Sequence, residues 1–198
     1  MAMAALGHNC IVREVELRNK PKALLSASPK ATVPVLLLPD ESVVDESLDI
    51  VRWAIRHTAH NTSWQEQELD DVLVKNNDGP FKHHLDRYKY SDRYPEDEDD
   101  HFALCGDFLA KLESVLIEAN DGTVFLRAPS LSLVDIAIFP FVRQFYFVNP
   151  KKFASLKLPK LSAWLNYLLE SAEFNCVMQK RAPWQENDTN HPIQLLDD

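Results

Sequence analysis

The rhythm of apolar and polar residues changes near residue 60. Before it, residues 11–17 alternate: Ile11, Val15 and Leu17 face one way, Glu14 and Glu16 the other. That period predicts a half-buried strand with one wet face. Asn19-Lys20-Pro21 breaks it, and residues 21–27 allow a short helix. Residues 33–38, Val-Pro-Val-Leu-Leu-Leu, are apolar at every position, as for a strand covered on both sides. Pro39-Asp40-Glu41 signals a turn, and residues 42–44 supply the second arm of a hairpin. Asp45-Glu46-Ser47 opens a helix with Leu48, Val51 and Ile55 on one face. At the start, residues 1–6 are helix formers, and Gly7 suits the positive φ found just past a helix end. With no N-cap and too few residues to nucleate alone, this segment reads as the last turns of a helix. A frayed terminus is the plainer alternative.

After residue 60 the pattern is helical. Residues 65–75 predict one helix, stopped by Asn76-Asn77-Asp78-Gly79-Pro80, with residues 81–90 as its continuation. The acidic run 95–100 suits a helix N-terminus and its dipole. Phe102, Cys105, Leu109, Leu112 and Leu116 then recur at helical spacing until Asn120-Asp121-Gly122. Ser132-Leu-Val-Asp135 is a capping box, flanked by Leu131 and Ile136 at the staple positions. The helix behind it, 136–147, is apolar nearly all round and should be central to a bundle. Helices over 160–171 and 174–180 follow, then a polar tail. The expected domains are 1–59, mixed α/β, and 64–184, all helical, with a tail over 185–198.

Composition narrows the function. The chain has 198 residues, 45% hydrophobic and 26% charged, the balance of a globular protein. Its formal charge of −9 has the wrong sign for nucleic acid or anionic lipid. No run is long enough to span a membrane, and residues 1–6 lack the flank of a signal peptide. Three distant cysteines, Cys10, Cys105 and Cys176, make no disulfide framework and fit a reducing cytoplasm. Glycine-rich phosphate motifs are absent.

Few residues could carry chemistry. A proline entering a strand at Val33-Pro34 frees backbone polar groups. If that bond is cis, the Val33 amide faces outward and can pair with a peptide-like ligand; a plain strand-start proline is the simpler reading of the tetrapeptide alone. Glu46 and Ser47, at a helix N-terminus, suit an ammonium and a carboxylate, or merely cap the helix. Lys20 could meet a second carboxylate, or be an ordinary solvated lysine. His83-His84-x-Asp86 puts metal-ligand types close together, but adjacent histidines point to different helix faces, so no metal is expected there.

In this order and spacing, residues 17–21, 27–36 and 45–48 resemble the thioredoxin-like domain of soluble glutathione transferases, omega-like and bacterial members above all. Ser132 to Asp135 falls where that family's helical domain keeps its capping box. The resemblance covers about residues 1–184. It implies an α/β plus all-α protein: a thioredoxin-like domain followed by a helical bundle. It implies that Val33, before cis-Pro34, pairs with the cysteinyl part of glutathione, that Glu46 and Ser47 hold the γ-glutamyl end, and that Lys20 meets the glycyl carboxylate. An electrophile or mixed disulfide would sit against the helical domain, and the protein would be a homodimer. Met1 matches the middle of that family's first helix. The first strand and the turn bearing the Cys, Ser or Tyr are therefore expected to be missing, and Cys10 lies too far along to replace it. The implied activity is glutathione conjugation or thiol transfer through a stabilised thiolate; the alternative is a non-catalytic module on the same fold. A misplaced start is a third explanation of the short N-terminus.

Overall fold

The computed structural model describes residues 1–118, 124–186, 188 and 192–193. Along the chain run α1 (Ala2–Ala5), β1 (Cys10–Ile11), α2 (Lys22–Ala27), β2 (Leu36–Leu37), β3 (Val43–Val44) and α3 (Ser47–His57). A 3-10 turn (Glu66–Asp70), α4 (Val72–Asn76), a π turn (Asn77–Phe81), α5 (Lys82–Lys89) and α6 (His101–Glu118) follow. Then come α7 (Leu133–Val148), α8 (Pro150–Ala154), α9 (Pro159–Glu170), α10 (Ala172–Val177) and β4 (Pro192–Ile193).

The chain divides into two compact units, Met1–Ser63 with Ala172–Asp198, and Trp64–Ser171. The expected helical domain ran on to residue 184. In the structure α10 packs on α1, so the segment from Ala172 groups with the first unit. Periodicity shows that a helix has an apolar face and does not show what that face meets.

In the first unit, α1 ends at Gly7, whose φ is +69°. A Cβ at Gly7 would meet the ring of the exposed His60, which can turn aside, so it is the positive φ that calls for glycine here. Thr58 Oγ1 donates to the Leu6 carbonyl, and His8 Nε2 lies 2.7 Å from the Ala54 carbonyl, tying α1 to α3. Both expected strands are shorter than their patterns. Residues 12–17 form no ladder, and only Cys10–Ile11 pairs, antiparallel with Pro192–Ile193. Alternation favours extended backbone, but a ladder also needs a neighbouring edge. Leu36–Leu37 pairs with Val43–Val44, which makes the hairpin. Val33 and Leu37 remain 45% and 55% exposed, so this run is not covered on both sides.

The second unit holds the larger core. Leu109, Leu112, Leu133, Ile138, Phe139, Phe145, Leu161, Trp164, Leu165 and Leu168 are fully buried. The α7 helix is central, with nine buried residues from Leu133 to Phe145. The Asn76-to-Pro80 run does not stop the helix. The break comes earlier, at Asp71, whose side chain caps Leu73 N–H; residues 72–89 then run on through the π turn. The widened turn accommodates Pro80, which has no N–H to donate. The acidic run does end at a helix start: Asp100 Oδ1 accepts from Ala103 N–H in the first turn of α6. The stop expected at residues 120–122 lies outside the described residues. No helix among the described residues is long and apolar enough to cross a membrane.

Candidate functional site

A cavity of about 480 Å³ opens in the first unit. Its walls are residues 10–15, the α2 residues Ala23, Leu24 and Ala27, residues 33–37, and Trp184. It lies between two extended segments that do not pair with each other, and its lining is mainly apolar. Val33 and Pro34 stand on its rim, and the peptide bond between them is cis. The Val33 backbone makes no hydrogen bond with the other described residues. Trp184 is fixed in the wall: its backbone N–H donates to the Glu14 carbonyl, and Arg13 sits 4.4 Å from the centre of its ring.

Glu46 is the N-cap residue of α3 and Ser47 its first residue; no side chain caps this end. The first intrahelical bond is Ile50 N–H to the Glu46 carbonyl. The preceding N–H groups make no intrahelical bond and no side chain caps them, and they carry the positive end of the helix dipole. Glu46 already has a partner, Lys30, at 2.6 Å. Lys30 also reaches Asp45 at 3.3 Å, and the buried Ser28 donates to Asp45 at 2.9 Å. The hydrogen bond to Glu46, with that to Asp45, raises the Lys30 pKa above the ordinary lysine value. The Ser28 hydroxyl, assisted by Lys30, holds the Asp45 carboxyl below its usual range. Sequence reasoning missed Ser28 and Lys30. The one sign is the charge of Lys30, opposite to Asp45-Glu46; Ser28 gives none, and nothing in the intervening sequence says that the two stretches meet.

Lys20 is half-buried in the turn after residue 17 and makes no ion pair or hydrogen bond with the described residues. The structure therefore gathers Glu46 and Ser47 with Lys30, places Val33 and Pro34 on the cavity, and ties Lys20 to neither group. Among thiols, Cys10 alone lines the cavity. Burial pushes its pKa up, outweighing the N-terminal ammonium and Arg181. Burial also raises Cys176, and takes Cys105 up to about 12.

In the second unit, Ser132 and Asp135 form a reciprocal capping box at the start of α7. Asp135 does more than the box requires. Its Oδ1 accepts from Leu126 N–H at 2.9 Å and from Trp164 Nε1 at 2.8 Å, and its Oδ2 accepts from Ser132 N–H at 3.0 Å.

One unit thus carries a cis proline before its hairpin and an uncapped helix start, and the other a buried capping box. Residues 1–57 match the family model of the glutathione S-transferase N-terminal domain. A possible glutathione S-transferase from Rhodopseudomonas palustris superimposes with a TM-score of 0.70 at 16% identity, over 96% of this chain and 89% of that one. A glutathione S-transferase from Methylobacillus flagellatus, solved with glutathione bound, gives 0.68 at 17% identity, over 88% and 89%. A family member from Pseudomonas fluorescens, with two glutathione molecules bound, gives 0.66 at 16%, over 86% and 82%. No curated protein sequence matches the chain. Residues 1–57 are thus similar in sequence to the glutathione S-transferase N-terminal domain, and the chain has a glutathione S-transferase fold across most of its length.

Proposed function

We propose that the first unit binds glutathione and that the chain is a glutathione transferase-type protein. The observation that carries this reading is the helix start at Glu46–Ser47. There a carboxylate, a hydroxyl and uncapped N–H groups stand together, within the stretch that matches the family model. The Ser47 hydroxyl and the N–H groups hold the γ-glutamyl carboxylate, and Glu46 takes the ammonium in place of Lys30. The open backbone of Val33 pairs with the cysteinyl part as an added strand. Lys20 meets the glycyl carboxylate. In the transferase reading, the bound thiol loses its proton to solvent, and the thiolate displaces the leaving group of an electrophile or attacks a mixed disulfide and releases its other sulfur as a thiol.

A second reading, a glutathione-binding module without catalysis, is favoured by one observation. All three cysteines have thiols whose pKa is raised, so none is poised to act as the thiolate of a thiol transferase.

Calorimetric titration with glutathione tests the shared part. Glu46→Ala and Ser47→Ala should each weaken binding about tenfold, the effect of one lost charge-assisted hydrogen bond, with the far-ultraviolet circular dichroism unchanged. A parent chain that does not bind, or variants that bind as tightly as the parent, would overturn it. A glutathione-dependent rate with an aromatic electrophile then separates transferase from binding module.

A further inference from the structure

The second unit contains a side-chain cluster that the glutathione reading does not use. Asp97, Asp99 and His101 offer one ligand atom each, all within 4.8 Å of one another, where the chain enters α6. Carboxylates at a helix start are common and by themselves mean little. His101 makes this cluster different. It is 8% exposed, and its Nε2 has no hydrogen-bond partner among the described residues. Asp97 Oδ2 stands 3.1 Å from that nitrogen, close enough for an ion contact. A buried, unsatisfied ring nitrogen costs stability unless something occupies it.

The other ring nitrogen is engaged: His101 Nδ1 lies 3.0 Å from His84 Nδ1, across the contact of α5 with α6. If that contact is made by an Nδ1–H on His101, then Nε2 carries a lone pair aimed at carboxylates. A ring held in this way, one nitrogen donating and the other turned to oxygen ligands, is the usual arrangement of a metal-bound histidine. Asp97 is held similarly, by Arg87 Nε at 2.9 Å. The neighbouring His83 turns elsewhere, towards Arg87 at 3.1 Å. The rings of the adjacent histidines meet edge to face at 5.0 Å but take different partners, and α6 supplies a second imidazole that neither the 83–86 motif nor the acidic run discloses.

We propose that Asp97, Asp99 and His101 bind a divalent transition-metal ion, Zn²⁺ in the first place, with His84 orienting the His101 ring. One imidazole and two carboxylates suit a borderline ion that accepts both nitrogen and oxygen, and leave a coordination position for water. Closing the cluster to metal–ligand distances near 2.1 Å needs the exposed aspartates to swing inward while His101 stays fixed. The alternative occupant of the Nε2–Asp97 gap is a proton, which makes a plain ion pair and no metal site.

Titration of the full chain with ZnCl₂, read by calorimetry and by thermal unfolding, decides between them. The proposal expects one Zn²⁺ per chain and a raised melting temperature. His101→Gln and Asp99→Asn should each weaken binding at least tenfold, and Mg²⁺ at the same concentration should leave Zn²⁺ binding unaffected. The Asp99 side chain makes no hydrogen bond among the described residues, so Asp99→Asn should fold normally, which circular dichroism checks. No saturable one-to-one binding would overturn the site. So would variants that bind like the parent, since the ion would then rest on other residues.

Discussion

Asp135 shows how much one side chain can hold. As a member of a capping box it would be worth about 1 kcal/mol. In the structure it is fully buried and also accepts from Leu126 N–H and Trp164 Nε1. Removing it leaves those donors and Ser132 N–H without partners, at roughly 1–3 kcal/mol each. Asp135→Ala should therefore cost about 3 kcal/mol or more, and Ser132→Ala only about 1 kcal/mol. Urea denaturation measures both; equal losses would mean that the extra acceptor bonds contribute nothing. The box was legible because its partners lie three residues apart. Leu126 and Trp164 were not, because no local rule points from Asp135 to an indole 29 positions away. Glu113 gives the same lesson. It is buried in α6, and its carboxylate caps the N–H groups of Lys160 and Leu161 at the start of α9.

Among elements, helices were read well wherever burial and local preference agree, as in α6 and α7. The π turn is where they conflict. Asn-Asn-Asp-Gly-Pro favours a turn, but the flanking Asn77 and Phe81 are each 1% exposed, and packing carries the helix through. Gly79 is then a weak point rather than a necessity. Nothing lies within 4 Å of where its Cβ would stand, and its φ is not in the left-handed region. Gly79→Ala should stabilise the chain by about 0.5–1 kcal/mol by restricting the unfolded state. A rise in melting temperature checks this, and a fall would mean that the turn depends on glycine. The strands failed for the opposite reason. Residues 11–17 carry the right alternation, but pairing belongs to two segments, and a single sequence shows only one of them. Of the candidate site, the helix start could be read directly and the cis bond at Pro34 only through the family resemblance, whereas the Ser28–Lys30–Asp45 link required knowing which stretches meet.

For the molecule as a whole, several carboxylates are held in ionised form. The Ser42 hydroxyl and N–H lower Asp40, and the Ser28 hydroxyl and Lys30 lower Asp45. Burial works against Asp71, but the two-pronged Arg127 contact at 2.8 and 3.0 Å, the Leu73 N–H and Lys75 outweigh it. A carboxyl whose folded pKa lies below its unfolded value near 3.9 stabilises the fold above that pH. The contribution is lost as pH falls through the folded pKa. Asp40 is exposed and Asp45 and Asp71 are half-buried at the surface, so each effect is small and partly screened by salt. Their sum should leave the melting temperature insensitive to them at neutral pH and lower it progressively below about pH 4. A melting series across that range tests this, and a chain most stable near pH 3 would contradict it.

The first unit is assembled from two stretches of chain, residues 1–63 and those from Ala172 onward, with all of residues 64–171 between them. On the ribosome these parts are not available together. The second unit has its whole sequence in hand once Ser171 has emerged. The wall of the cavity that Trp184 supplies, and the support that α10 gives α1, arrive only afterwards. Until then Met1–Ser63 waits with its apolar edges uncovered while its neighbour can already close its core, a delay of several seconds at ordinary rates of synthesis. Met1–Ser63 is thus translated before the second unit and completed after it, and during that interval its uncovered apolar edges are open to a chaperone.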